Sequence, residues 1–162
     1  MNAYDIAVFL SLIDIPYLKE RQLIQQLHED LQVKIPFANF ELEIDNCLIG
    51  LDSQAMKELQ QLQKQQGNLL MPMVVQKDMA HYLKVIKLRL MYTEIEYVKL
   101  KLRTLLKQLG YKRRSEKFMR EFEHAINDCG LTIFIKGDLV QDRTMIGLDD
   151  FMTIRLRSDV EC

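Results

Sequence analysis

Residues 93–157 constrain the fold more than any other stretch, because helical periodicity, capping residues and charge agree there. Thr93 and Glu96 have the spacing of a capping box, and Ile95, Val98, Leu102, Leu105, Leu106 and Leu109 then follow one helical stripe to a stop at Gly110. A competing reading takes Tyr97 to Lys101 as a strand leading into a shorter helix. Past the turn Tyr111-Lys112-Arg113-Arg114, Ser115 opens a second helix over 116–128, whose apolar stripe is Phe118, Met119, Phe122, Ala125, Ile126 and Cys129. Beyond Gly130, residues 132–136 and 151–157 read as strands joined by a polar excursion containing Gly137, Asp138, Asp142, Arg143 and Gly147. The pattern predicts a helix, a basic turn, a second helix and a β-ribbon.

The upstream chain is less decided. Ile6, Phe9, Leu10 and Ile13 recur at helical spacing, and Pro16 cannot continue a helix interior, so a short first helix should end near residue 14. Pro16 suits the first turn of a second helix reaching about Asp30 on the face of Leu18, Leu23, Ile24, Leu27 and Leu31. Over 36–49 the period changes: Phe40, Leu42 and Ile44 alternate with Glu41, Glu43 and Asp45, the pattern of a half-exposed strand. Such a strand would put three carboxylates on one face, open to metal binding or simply solvated. A third helix capped by Asp52 or Ser53 should end at Gly67, followed by an edge strand over 69–75 that Pro72 interrupts. Residues 78–90 satisfy both periods and are read as a helix at their start and a strand at their end.

These elements predict a helix-rich α+β fold in two parts: residues 1–91, an N-terminal helical module with short strands, and residues 92–162. In each half a helix ends at a glycine (Gly67, Gly130) and an apolar strand follows, which suggests two similar units in tandem or one composite domain. The net charge of −1 conceals a division. Residues 1–76 carry five basic and ten acidic residues, 82–120 twelve and three, and 121–162 four and nine. A middle segment of net +9 between two of net −5 suits an anionic partner on one face, or pairing of the basic middle with the acidic ends. Cys47, Cys129 and Cys162 show no metal or redox spacing and read as reduced thiols, which points to a cytoplasmic protein. No apolar run approaches the roughly 20 residues that span a bilayer, and no basic leader is expected.

The strongest candidate site is the turn Lys112-Arg113-Arg114 with Lys117 and Arg120 in the first turns of the next helix. Unpaired N–H groups at a helix N-terminus attract phosphate, and five cations add to that field. Glu116, Glu121 and Glu123 on that helix, and Asp138, Asp142, Asp149 and Asp150 in the ribbon tip, oppose it. Protein docking is therefore the competing use of this surface.

The run over 102–131 has a Leu-rich helix, Gly110-Tyr111, three basic residues and an amphipathic helix closed by Gly130-Leu131. It resembles the helix-turn-helix core of small bacterial winged-helix modules, and with the flanking strands the likeness extends over about 96–157. The resemblance implies a winged-helix C-terminal module and DNA contact through Lys112, Arg113, Arg114, Lys117 and Arg120. In layout alone, the whole chain is similar to tandem winged-helix subunits that accompany chromosome-organising ATPases. That likeness implies an adaptor, with a larger protein partner or a second copy of the chain.

Catalytic motifs are missing: there is no Gly-rich phosphate loop, Gly-x-Ser-x-Gly or His-Glu-x-x-His. His28, His81 and His124 lack partners at ligand spacing. An acid and lysine pairing from Glu94, Glu96 and Lys99 suits an ordinary helix surface equally well. The sequence thus predicts a non-enzyme with no cofactor, no metal and no membrane partner, the remaining metal reading resting on Glu41, Glu43 and Asp45.

Overall fold

A computed structural model of the protein describes residues 2–13, 15–51 and 78–157. The fold is α+β and helix-rich, and the chain divides into two compact units, Met1–Leu62 and Gln63–Cys162.

In the first unit the described residues form three helices, α1 (Ala3–Leu12), α2 (Tyr17–Asp30) and α3 (Phe37–Gly50). Asn2 and Asp5 cap α1 reciprocally: the Asp5 N–H donates to Asn2 Oδ1 at 2.9 Å and the Asn2 N–H to Asp5 Oδ2 at 3.0 Å. Pro16 and Pro36 occupy the N-cap positions of α2 and α3, where their fixed φ suits helix entry and no N–H is lost from the ladder.

The strand expected over 36–49 is helix α3. Phe40 and Ile44 are also four residues apart, and burying that pair leaves Leu42 exposed, whereas a strand would have buried all three. The helix rearranges the acids too. Glu41 and Asp45, at i and i+4, meet Arg21 of α2 at 3.5 and 2.8 Å, and Glu43 points elsewhere, exposed. His28 completes the α2–α3 corner, where its Nε2 donates to the Ile35 carbonyl at 2.8 Å and its ring lies against Phe37 and Phe40. The expected helix after residue 52 and the edge strand over 69–75 lie outside the described residues.

Among the described residues, the first element of the second unit is α4 (Met79–Tyr92), capped by Asp78, whose carboxylate accepts the His81 N–H at 2.7 Å. The strand expected at the end of this segment is helix throughout. Helix α4 runs across the 91/92 boundary read from the sequence and packs on elements of the second unit, α6 and β4. Thr93 does not open a helix; its hydroxyl donates to the Arg89 carbonyl and closes α4. The competing reading of 97–101 therefore holds: β1 (Val98–Lys101) leads into the short α5 (Leu102–Gln108). Pairing with β4 outweighs the helical stripe, because Val98 and Leu100 are buried in the sheet while Lys99 and Lys101 face away.

Helix α6 (Glu116–Asp128) follows the basic turn as expected, and Ser115 caps it by accepting the Phe118 N–H at 3.1 Å. Strands β2 (Leu131–Ile135), β3 (Asp138–Leu139) and β4 (Phe151–Leu156) complete an antiparallel sheet of order β1-β4-β2-β3. The ribbon expected from the sequence is the β2–β4 pair at its centre. Lys136 and Gly137, at φ 52° and 84°, make the tight turn to β3 that its right-handed twist favours. The polar excursion ends in a 3-10 turn at Arg143–Met145 that packs on α6.

Candidate functional site

The turn 111–114 is set by its two ends. Helix α5 stops at Gly110, whose φ of 80° would strain any residue with a Cβ, and the Tyr111 N–H returns to the Leu106 carbonyl at 2.9 Å. The Tyr111 ring then lies edge-on to Phe118 at 4.8 Å, and Phe118 is buried. One aromatic contact thus anchors the turn to α6 and leaves the next three residues outside the core.

Lys112, Arg113, Arg114, Lys117 and Arg120 are all exposed. Among the described residues none of the five has a hydrogen-bond or ion-pair partner. Arg114 and Arg120 line a recess of about 380 Å³ with Ser115, Glu116, Met119 and Thr144, between the start of α6 and the 3-10 turn. On the other side of the turn a broader groove of about 920 Å³ runs between α5 and the loop before β4. Arg103 and Lys107 on α5 join Lys112, Arg113 and Arg114 there. Sequence reasoning missed those two; their i, i+4 spacing on an exposed helix face was the available signal.

The acids of the excursion are largely engaged within the chain. Asp149 accepts two hydrogen bonds from Arg103, at 2.9 and 3.1 Å, which holds its carboxyl below the usual carboxylate range. Asp150 accepts the Gly147 N–H at 2.7 Å, and Asp142 accepts the Thr144 N–H at 3.1 Å. Asp138 remains exposed in the β2–β3 corner. On α6, Glu123 lies 4.0 Å from Arg143, whereas Glu116 and Glu121 stay exposed, so the outer face of that helix is of mixed charge.

Arg143 is the excursion's anchor. It is buried and donates to Asn127 Oδ1 of α6 at 2.8 Å. Burial pushes its pKa down, against the opposing pull of Glu123. Arg157 reaches the same Asn127 oxygen at 3.3 Å, so one amide ties the 3-10 turn and the end of β4 to α6.

The carboxylates Glu41, Glu43 and Asp45 do not share a face, two being occupied by Arg21. Among the described residues no group of three or more His, Cys, Asp or Glu is placed to hold a metal ion. No helix among them is long and apolar enough to cross a membrane. No family model, curated protein or solved structure matches this chain.

Proposed function

We propose that the Gln63–Cys162 unit is a winged-helix module that binds duplex DNA, without catalysis, through Lys112, Arg113, Arg114, Lys117 and Arg120. The observation that carries this reading is the set of five exposed cations at the start of α6, without partners among the described residues. Two further features support it. The basic turn is followed by helix α6, and β2 pairs with β4 in a sheet of order β1-β4-β2-β3, which supplies the second helix and the ribbon that this reading needs. Of the aspartates near the ribbon, Asp149 is ion-paired with Arg103, which cancels one of the charges that would repel phosphate. In such a complex α6 enters the major groove, Lys117 and Arg120 lie toward the bases, and the turn 112–114 meets the phosphates alongside.

The test is a duplex mobility shift with an Arg113→Glu/Arg114→Glu variant. Loss of the shift at low salt is expected, since two attractive contacts become repulsive; an unchanged shift rejects this surface.

A second reading has its own observation. In the first unit, Leu18, Leu42 and Ile49 project into solvent, Ile49 at 84% exposure. Apolar exposure of that kind suits an adaptor that docks on another protein. Stoichiometric co-purification that survives nuclease supports this reading, and loss of the partner on nuclease treatment rejects it.

A further inference from the structure

The sheet has a second surface that the duplex-binding reading does not use. Val98, Leu100, Leu131, Ile133, Met152 and Ile154 bury one face. The register fixes what lies on the other: Lys101 opposite Phe151, Lys99 and Phe134 flanking Thr153, and Arg155 opposite Thr132. Tyr97, just before β1, joins them beneath Arg155. Leu139 of β3 is paired with Phe134, while Asp138 is paired with Ile135 and so lies on the other face, exposed at the sheet edge, and the described strands bring no carboxylate to this face. A chain of net charge −1 has thus gathered Lys99, Lys101 and Arg155 on one sheet face, with Asp149, already engaged by Arg103, the acid whose field Lys101 feels from the loop before β4.

The aromatic residues there are half open to water, Phe151 at 50% and Tyr97 at 48% exposure. Cations lie over their rings. Lys101 and Lys99 Nζ are 4.8 and 5.2 Å from the Phe151 centroid, and the Arg155 guanidinium is 5.3 Å from Tyr97 and 6.0 Å from Phe134.

We propose that this face is a stacking platform for single-stranded nucleic acid. Bases would stack on Phe151, Tyr97 and the Arg155 guanidinium plane, while Lys99 and Lys101 contact the phosphates. An ammonium over an exposed ring is held more weakly than a stacked base, so a base displaces it and frees it for the backbone. From Phe151 to Arg155 the strand covers roughly 13 Å, room for about two or three splayed bases. A duplex keeps its base faces inside the stack and cannot use these rings. An acidic peptide would satisfy the lysines and leave the rings unused, so the combination favours single strands.

The test is fluorescence anisotropy of the full chain with labelled oligo-dT and oligo-U of about twelve nucleotides, which also separates single-stranded DNA from RNA. Binding is expected at low salt, with affinity falling about ten-fold in Phe151→Ala and being retained in Phe151→Tyr. Lys99→Glu/Lys101→Glu should abolish it, and Arg113→Glu/Arg114→Glu should leave it unchanged while removing duplex binding. Should Phe151→Ala fail to fold, Phe151→Leu keeps apolar bulk without a ring and is expected to lose the same affinity. Absence of binding to either oligonucleotide, full affinity in the ring-less variant, or equal binding of a polyglutamate of the same length would overturn the proposal.

Discussion

Arg103 and Asp149, 46 residues apart, meet in a two-pronged ion pair at 2.9 and 3.1 Å that joins α5 to the loop before β4. Both side chains are exposed, so the pair serves less to hold the fold than to cancel an acid at the edge of the basic groove. Asp149→Ala therefore releases Arg103 and should tighten duplex binding about two- to five-fold at low salt while barely moving the melting temperature. The depressed carboxyl gives a sign as well. Its contribution is present above the unfolded pKa of about 3.9 and is lost as pH falls through the lower folded value, so it is constant around neutrality. Titrating affinity for a fixed duplex in both proteins checks the first statement; weaker binding by Asp149→Ala rejects it.

Asn127 carries the ribbon's attachment to α6. Asn127→Ala leaves the buried Arg143 without its 2.8 Å acceptor and should cost about 1–3 kcal/mol in urea denaturation. Most of that loss comes from stranding a cation, so Asn127→Ala/Arg143→Met should lose less than Asn127→Ala alone. Additive losses in the double variant would show that the amide and the guanidinium act independently.

In the first unit, Arg21 ties α2 to α3 through Asp45 at 2.8 and 3.1 Å, with Glu41 at 3.5 Å. Partial solvent screening tempers the loss, and Arg21→Ala should destabilise by about 1–2 kcal/mol. Arg21→Lys should recover less than half of it, because a single ammonium cannot reproduce the fork. Equal stability of the lysine variant and the parent would contradict that geometry.

Tyr82 supplies an alkaline signature. Burial pushes its phenol well above the ordinary tyrosine value, so the native state holds that proton more tightly than the unfolded chain does. Stability from this group is full below the unfolded pKa of about 10 and falls as pH rises from there through the displaced value. Tyr82→Phe should flatten the decline in melting temperature above about pH 10. An identical alkaline slope in the variant would count against it.

Legibility in the sequence varied with how local the deciding interaction was. Helix α6 was readable because Ser115, the Phe118–Ile126 stripe and Gly130 all act within one segment. The same holds for Pro16 at the start of α2. Residues 36–49 misled because Phe40 and Ile44 satisfy periods of both two and four; Arg21, 24 residues away from Asp45, meets the acids in the helical arrangement. The Thr93 capping box misled because β1 gains its stability from β4, 50 to 56 residues downstream, which no local pattern encodes. The basic turn was legible as charge, but its freedom from internal pairing was not. Asp149 takes Arg103, 46 residues away, as its partner, a pairing that no local pattern shows.

The salt dependence of duplex affinity tests the central claim most directly. If Lys112, Arg113 and Arg114 each neutralise one phosphate, the slope of log affinity against log salt is about −2.7, and Arg113→Ala reduces its magnitude by about 1. A slope near zero, or a slope unchanged in Arg113→Ala, would contradict the account.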